Sequence, residues 1–228
     1  TYQERGNPKI QYLTQADLNQ HKTDYIEHLS SAGHMSNRDK ELFATNRDDV
    51  VFIFVDLQEG LIRKSKTMEP NALSSNTAGL AQVAHAISAL LFFTVPQEAK
   101  EGEPLPKLQG YANDSNTFYR VIADPFLVNS ITIALENLAR NILIICGYSA
   151  EAGVLLTAPG GLRQGYNVFI PVDCVGSQSL RTETVVLKQA EKAGAVITSL
   201  ATLAAQLAPD FSREPGKTIL SVISNARC

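Results

Sequence analysis

Several residue types that often define a functional class are scarce in this chain. It has no tryptophan, two methionines and three cysteines among 228 residues. The cysteines, Cys146, Cys174 and Cys228, are odd in number and widely spaced, which argues against both a disulfide framework and a zinc site. The four histidines do not have the spacing of metal ligands. We therefore predict no metal and no cofactor.

The chain also lacks an excess of one charge and a long apolar run. The net charge is −3 and the charges of both signs are mixed, so the sequence shows no basic region of the kind that binds nucleic acid or an anionic membrane. No apolar run reaches the roughly 18–20 residues that a membrane span needs. We expect a reduced, cytoplasmic compartment, although a start at Thr1 leaves a cleaved signal open. Neither G-x-G-x-x-G nor G-x-x-x-x-G-K-[ST] occurs, which disfavours a dinucleotide or P-loop protein.

The central part of the chain alternates between short apolar runs and helical patterns. A continuous apolar run over residues 50–55 suits a central strand of a parallel sheet. Further strands are predicted at residues 91–95, 118–121, 142–146, 168–172 and 195–198, and helices at 77–90, 128–140, 150–163, 182–193 and 200–207. The helix over 150–163 is expected to be interrupted late, by Pro159-Gly160-Gly161. This order predicts a three-layer α/β/α domain over residues 48–208.

The two ends of the chain are less regular. Residues 1–47 form a predicted N-terminal extension, with one helix over residues 15–29 that Thr14 caps. Residues 209–228 form a predicted C-terminal tail, in which residues 218–223 (TILSVI) suggest an added strand or an exchanged arm. Both ends are expected to pack on the core domain or on a neighbouring copy.

Polar residues at the carboxyl ends of the strands are the candidates for function, since ligands bind there in doubly wound sheets. They are Asp56, Gln58, Gln97, Arg120, Asp173 and the turn over residues 147–153. Asp56 has two interpretations of equal weight. It is either a helix N-cap or turn residue, or a carboxylate whose apolar surroundings raise its pKa for acid or base chemistry. Asp173 is expected to bond the neighbouring loop.

Six segments resemble the isochorismatase-like hydrolase superfamily, and most of all its YcaC-like branch. They are FIFVDLQEGL (52–61), MEPNAL (68–73), FYR (118–120), LIICGYSAEAGVLLTA (143–158), GYNVFIPVDCVGS (165–177) and AEKAGAVITSLATLAAQL (190–207). The resemblance implies a Rossmann-like sheet of six parallel strands in the order 3-2-1-4-5-6. Because members of this superfamily are commonly oligomers, it also implies a homo-oligomer that acts on a small molecule.

The resemblance also implies a role for individual residues. Asp56 matches the family's acid/base carboxylate, and Arg120 matches the cation that keeps this carboxylate ionised. Gly153 stands where the family has its cysteine nucleophile, so thiol-dependent amide hydrolysis is expected to be absent or very slow. The turn residues Ser149 and Ala150 would form, with Gly153, the backbone cradle for an oxyanion, helped by a cis peptide expected at Ser149–Ala150.

Two functions remain open at this point. Isochorismatases also have glycine at this position and use the aspartate as an acid, although they have Tyr-Ala-His where this chain has Ser149-Ala150-Glu151. A hydrolase without cysteine would use Asp56 and Arg120, with Gln97 as a loosely aligned substrate contact. The alternative is an inactive family member that binds a small molecule or serves as an oligomeric scaffold. Cys146, Cys174 and Ser149 are weak candidates for a replacement nucleophile. Cys146 lies within a strand, where a free cysteine is usually a small buried hydrophobic residue. Cys174 and Ser149 have no base paired with them in sequence, and Ser149 is expected to bond backbone groups of the turn.

Overall fold

The computed structural model describes residues 46–96 and 103–227. The predicted helix over residues 15–29 and the candidate Gln97 lie outside these ranges, so both stay predictions. The domain is organised around β1 (Val50–Val55), in which every residue is buried. β1 pairs in parallel with β2 (Leu90–Pro96) on one side and with β4 (Ile142–Tyr148) on the other. This burial on both faces is what a continuous apolar run predicts.

The other strands extend the sheet in both directions. They are β3 (Thr117–Arg120), β5 (Asn167–Pro171), β6 (Val175–Gly176) and β7 (Val196–Thr198). The order is β3-β2-β1-β4-β5-β7, all pairs are parallel, and the two-residue β6 pairs with the end of β4. The predicted order is therefore confirmed, with β7 in the sixth position. The short β6 was missed because two residues carry no readable periodicity.

Helices cover both faces of the sheet. They are α1 (Glu59–Ile62), α2 (Pro70–Ala86), α3 (Asn129–Glu136), α4 (Leu155–Arg163), α5 (Leu180–Ala193), α6 (Leu200–Leu207) and α7 (Gly216–Asn225). Side chains of α3, α4 and α5 share one buried cluster with Val51, Ile53 and Val55 of β1. Helices α2, α6 and α7 pack against one another, with Val222 of α7 close to Gly79 of α2. In the described ranges, no helix combines the length and the apolar character that crossing a bilayer requires.

Two predictions near the ends of elements were wrong. Residues 218–223 do not form a strand, because they lie within the helix α7, where Ile219 and Val222 are buried at helical spacing. Helix α4 also continues through Pro159 to Arg163. The two glycines that follow the proline serve packing: a Cβ on Gly160 would lie 2.6 Å from Phe126, and one on Gly161 would lie 2.5 Å from Leu143. They let α4 approach the sheet closely.

Candidate functional site

Asp56 is placed by the end of β1. Its backbone N–H donates to the carbonyl of Thr94 at 3.0 Å, and its φ of +52° turns the chain out of the sheet. Aspartate tolerates this left-handed conformation better than most residues. The hydroxyl of Thr94 donates to Oδ1 of Asp56 at 3.0 Å, and only 8% of Asp56 is exposed. The local geometry therefore fixes a nearly buried carboxylate at the carboxyl edge of the sheet.

Arg120 reaches the same point from β3, two strands away. Its Nη2 donates to Oδ2 of Asp56, and 6% of the arginine side chain is exposed. Its Nη1 donates to the carbonyl of Ile122 at 2.7 Å and to that of Ala123 at 3.1 Å. The structure thus brings together the two charged residues that the resemblance singled out, and backbone carbonyls orient the guanidinium.

The environment shifts the pKa of Asp56 upward. Burial raises the pKa of this carboxyl above its ordinary value, and this effect exceeds the lowering by the Arg120 charge and by the Thr94 hydrogen bond. A carboxyl with a raised pKa holds its proton to higher pH than a free aspartate and is a better general acid near neutrality. Asp56 is thus a turn residue at the end of β1 and also a buried carboxyl with a raised pKa, so features of both interpretations are present.

The turn after β4 brings a third element to this edge. Gly147, near the end of β4, pairs with Val55 of β1 and has a φ of +137°. A Cβ there would lie 2.0 Å from the carbonyl oxygen of Val55, so the close approach of the two strands requires glycine. The non-proline cis peptide lies at Tyr148–Ser149, one residue before the predicted Ser149–Ala150 bond, and this detail corrects the prediction. A wide helical turn with i to i+5 hydrogen bonds then covers Ala150–Val154 and leads into α4.

Gly153 lies against the Asp56–Arg120 pair. A Cβ built on it would be 3.3 Å from Oδ2 of Asp56, so a side chain at this position would start directly beside the carboxylate. The same Cβ would lie 2.5 Å from Cγ1 of Val55, which must move before any side chain fits. A side chain at position 153 would therefore contact Asp56, but glycine supplies no nucleophile there.

The turn itself holds a second carboxylate, Glu151, which falls in the predicted candidate turn but for which no individual role was predicted. Oε1 of Glu151 accepts hydrogen bonds from the hydroxyl of Ser177 and, at 2.6 Å, from that of Thr182. Burial raises the pKa of Glu151, but these hydroxyl donors outweigh it, and the net pKa lies below the ordinary value. Sequence carried no local signal for Ser177, because β6, the strand that precedes it, has only two residues.

The candidate replacement nucleophiles are poorly suited to that role. Cys146 and Cys174 are both buried, and burial raises the pKa of each thiol well above its ordinary value. The thiolate form that reacts is therefore scarce. Asp173 accepts a 2.7 Å hydrogen bond from the backbone N–H of Leu200, so its partner is the first residue of α6 rather than the neighbouring loop that was predicted.

Two buried polar atoms, one close to Asp56 in sequence and one close to it in space, have no hydrogen-bond partner among the residues that the structure describes. They are Nε of Arg120 and Oε1 of Gln58, whose residue is 1% exposed. Buried polar groups are normally paired, so such atoms often mark the place of a water or a ligand. Gln58 follows Asp56 by two residues, and its backbone forms an isolated antiparallel bridge with Pro104.

Two cavities lie elsewhere. One of about 220 Å³ is lined by residues between α3 and the start of β5, among them Glu136, Arg140 and Tyr166. Another of about 400 Å³ lies between α2 and α7 and includes Lys107 and Arg227. Neither includes Asp56. In the ranges 46–96 and 103–227, no group of three or more histidine, cysteine, aspartate or glutamate residues is placed to hold a metal ion.

The parallel α/β sheet, with a buried Asp–Arg pair at its carboxyl edge, agrees with the family that sequence comparison identifies. The family model described as "Isochorismatase domain" matches residues 50–202. The chain belongs to this family. Among curated proteins, the "Probable hydrolase YcaC" of Escherichia coli K12 is 24% identical over 175 residues, which span 74% of this chain and 82% of the relative.

Solved structures give the same result for the fold. The YcaC gene product of Escherichia coli, described as an octameric hydrolase of unknown specificity, superposes with a TM-score of 0.74 at 22% identity, covering 80% of this chain and 90% of that one. YcaC from Pseudomonas aeruginosa, with hexane-2,5-diol and covalent acrylamide, has a TM-score of 0.74 at 19% identity, covering 80% and 91%. MAR1 ribonuclease from Caenorhabditis elegans has a TM-score of 0.73 at 22% identity, covering 81% and 94%.

Proposed function

We propose that this protein is a hydrolase of the isochorismatase family that works without a cysteine nucleophile on a small polar or anionic substrate. The observation that carries the proposal is the buried contact between Asp56 and Arg120, beside which Gly153 lies. Removing two charges from water costs free energy that such a pair seldom recovers in stability. A functional role for the pair explains why this cost is tolerated.

The chemistry that fits is acid catalysis by Asp56. The protonated carboxyl donates its proton to the substrate, for example to the enol carbon of a vinyl ether, and water then attacks the resulting oxocarbenium carbon. That water returns one proton to the carboxylate, and the hemiketal that has formed then breaks its bond to the ether oxygen. The ether oxygen leaves as an alcohol with the proton of the new hydroxyl, a carbonyl product remains, and the enzyme is restored without a covalent intermediate. Arg120 would hold the carboxylate after proton transfer, and backbone N–H groups of Ser149, Ala150 and Gly153 would bind an anionic oxygen of the substrate.

The second candidate is an inactive family member that keeps the fold for ligand binding or as a scaffold. Two observations favour it: Asp56 is 8% exposed, and Val55 lies over the space beside Gly153. The relative described as octameric supports a homo-oligomer for either function. Light scattering at micromolar concentration tests the assembly, and a monomer would contradict it.

The decisive experiment compares the wild type with Asp56→Asn in a screen of isochorismate, nicotinamide and small carboxylates. Thermal shift reports binding, and chromatography of the same samples reports product. The matched control is Asp114→Asn, because Asp114 is an exposed aspartate with the same change of charge. We expect turnover to fall about 100-fold or more in Asp56→Asn and to stay unchanged in the control.

Two results would count against the hydrolase. Binding that survives Asp56→Asn, with no product from any compound in the wild type, identifies the inactive binder. Turnover that iodoacetamide abolishes would instead show that a thiol performs the reaction.

A further inference from the structure

We propose that the ion pair between Asp124 and Arg163 is a positioning device for Arg120, which it holds in the orientation that contacts Asp56. This inference rests on the proposed role of the Asp56–Arg120 pair. It adds two residues outside that pair, from a loop and from a helix, to the groups on which the candidate site depends.

The first step is the loop that follows β3. The Nη1 group of Arg120 donates to the carbonyls of Ile122 and Ala123, so the position of the guanidinium depends on where those carbonyls lie. The side chains of this segment do not anchor it, because Val121 is 76% exposed and Ile122 is 42% exposed. The loop needs a fixed point on its far side.

Asp124 supplies that fixed point. Its Oδ1 accepts the backbone N–H of Phe126 at 2.9 Å, which begins a short 3-10 turn over Pro125–Leu127. Its Oδ2 accepts from Nη2 of Arg163 at 2.8 Å. About 12% of the Asp124 side chain is exposed, so the carboxylate is shielded from competing water. The loop is thereby tied to the last residue of α4.

The second step is the other end of that helix. The segment that leads into α4 contains Gly153, which lies beside Asp56. A Cβ on Gly160 would be 2.9 Å from Oδ1 of Asp124 and 2.6 Å from Phe126, so the glycine permits the close approach of helix and loop. The loop that orients Arg120 and the turn that carries Gly153 are therefore joined through one helix, and the ion pair is the polar contact of that junction.

The test measures the pKa of Asp56 by carbon-13 NMR of its side-chain carboxyl, with the resonance assigned by its loss in Asp56→Asn. The variant is Asp124→Asn. Asp210→Asn is a closely matched control, because Oδ1 of Asp210 also accepts the N–H two residues ahead, and its Oδ2 also contacts an arginine, Arg213, at 2.6 Å. The exposed fractions of the two pairs are similar, at 59% and 12% for Arg163 and Asp124 and at 51% and 15% for Arg213 and Asp210.

We expect the midpoint of Asp56 to rise by about half a pH unit or more in Asp124→Asn, because a displaced Arg120 stabilises the carboxylate less. Asp210→Asn should leave it unchanged, and Arg163→Lys should restore part of the wild-type value when compared with Arg163→Gln. An unchanged midpoint in Asp124→Asn, or an equal rise in both asparagine variants, would overturn the proposal. The NMR measurement needs no substrate. A lack of turnover would therefore refute the proposed function, whereas the positioning of Arg120 would still be decided by the midpoint of Asp56.

Discussion

Asp56 and Glu151 are two carboxylates near one turn, and their surroundings shift their pKa values in opposite directions. Asp56 is deeply buried beside one arginine and one threonine hydroxyl, and its pKa is raised by burial. Glu151 is less buried, and the hydroxyls of Ser177 and Thr182 bring its pKa below the ordinary value despite the cost of burial. At Asp56 the effect of burial exceeds that of the nearby cation, whereas at Glu151 the hydrogen-bond donors outweigh a weaker burial.

The difference separates two tasks. A carboxyl that retains its proton suits acid chemistry, and a carboxylate that stays ionised suits the binding of hydroxyl groups on neighbouring loops. Through Ser177 and Thr182, Glu151 ties the turn to the segment before α5 and to the start of that helix. The experiments below ask whether Arg120, Gly153 and Glu151 contribute to this contrast in the expected way.

The largest effect is expected for Arg120→Met, which leaves Asp56 buried without its cation. We expect the free energy of unfolding at neutral pH to fall by about 3 kcal/mol, as for other buried pairs that lose one partner. Urea unfolding measures it. Arg63→Met is the control, since its pair with Glu59 is exposed and should contribute less than about 0.5 kcal/mol.

The cost of Arg120→Met should depend on pH. Losing the cation raises the folded-state pKa of Asp56 further above the unfolded value of 3.8. The folded state then binds more protons than the unfolded state, so stability is highest below pH 3.8 and falls as the pH rises through the folded pKa. The gap between variant and wild type should therefore be smaller at pH 4.5 than at pH 7. A stability difference that is the same at both pH values would mean that Arg120 does not affect the pKa of Asp56.

A smaller effect is expected for Gly153→Ala, which places a methyl group beside the carboxylate of Asp56. The new Cβ would lie 2.5 Å from Cγ1 of Val55, and we expect a loss of about 1–2 kcal/mol from overpacking. Adding Val55→Ala should recover part of that loss in a double-mutant cycle measured by urea unfolding. If the two changes are additive, Val55 does not restrict the space beside Gly153.

The smallest effect is expected for Glu151→Gln. Oε1 can still accept from the two hydroxyls, but it loses the charge that strengthens those bonds, and we expect a loss of about 1 kcal/mol at neutral pH. Because the folded pKa is lowered, this contribution is present above the unfolded value of 4.5 and disappears as the pH falls through the folded pKa. The NMR midpoint of Asp56 should not move. A shift of that midpoint would show that the two carboxylates are coupled.

Much of the fold could be predicted because β1 is apolar throughout and its neighbours alternate with helices. That alternation predicted a parallel sheet, the resemblance implied the strand order, and the structure confirms both. The contact of Asp56 with Arg120 was implied by the resemblance alone, because nothing local marks a residue on β3 as the partner of one on β1.

The errors arise where contacts between distant parts of the chain override local sequence signals. The segment over residues 218–223 is rich in β-branched residues and suggests a strand, but Ile219 and Val222 lie on one face of a helix packed on α2 and α6. Pro159 suggests a break in α4, yet the adjacent glycines contact Phe126 and Leu143 and are required for packing. No individual role was predicted for Glu151, because its hydrogen-bond partners come from a different part of the chain. Tertiary contacts decided each case.

The separation of Asp56 from Arg120 along the chain has a consequence for how the protein folds. The two residues are 64 positions apart, and a chain segment of that length must close before their contact can form. Loop closure costs conformational entropy that only the assembled sheet repays, so long-range contacts of this kind form slowly. We expect the candidate site to appear only when β1, β2 and β3 are all in register, so no partly folded form of this chain would bind a ligand there.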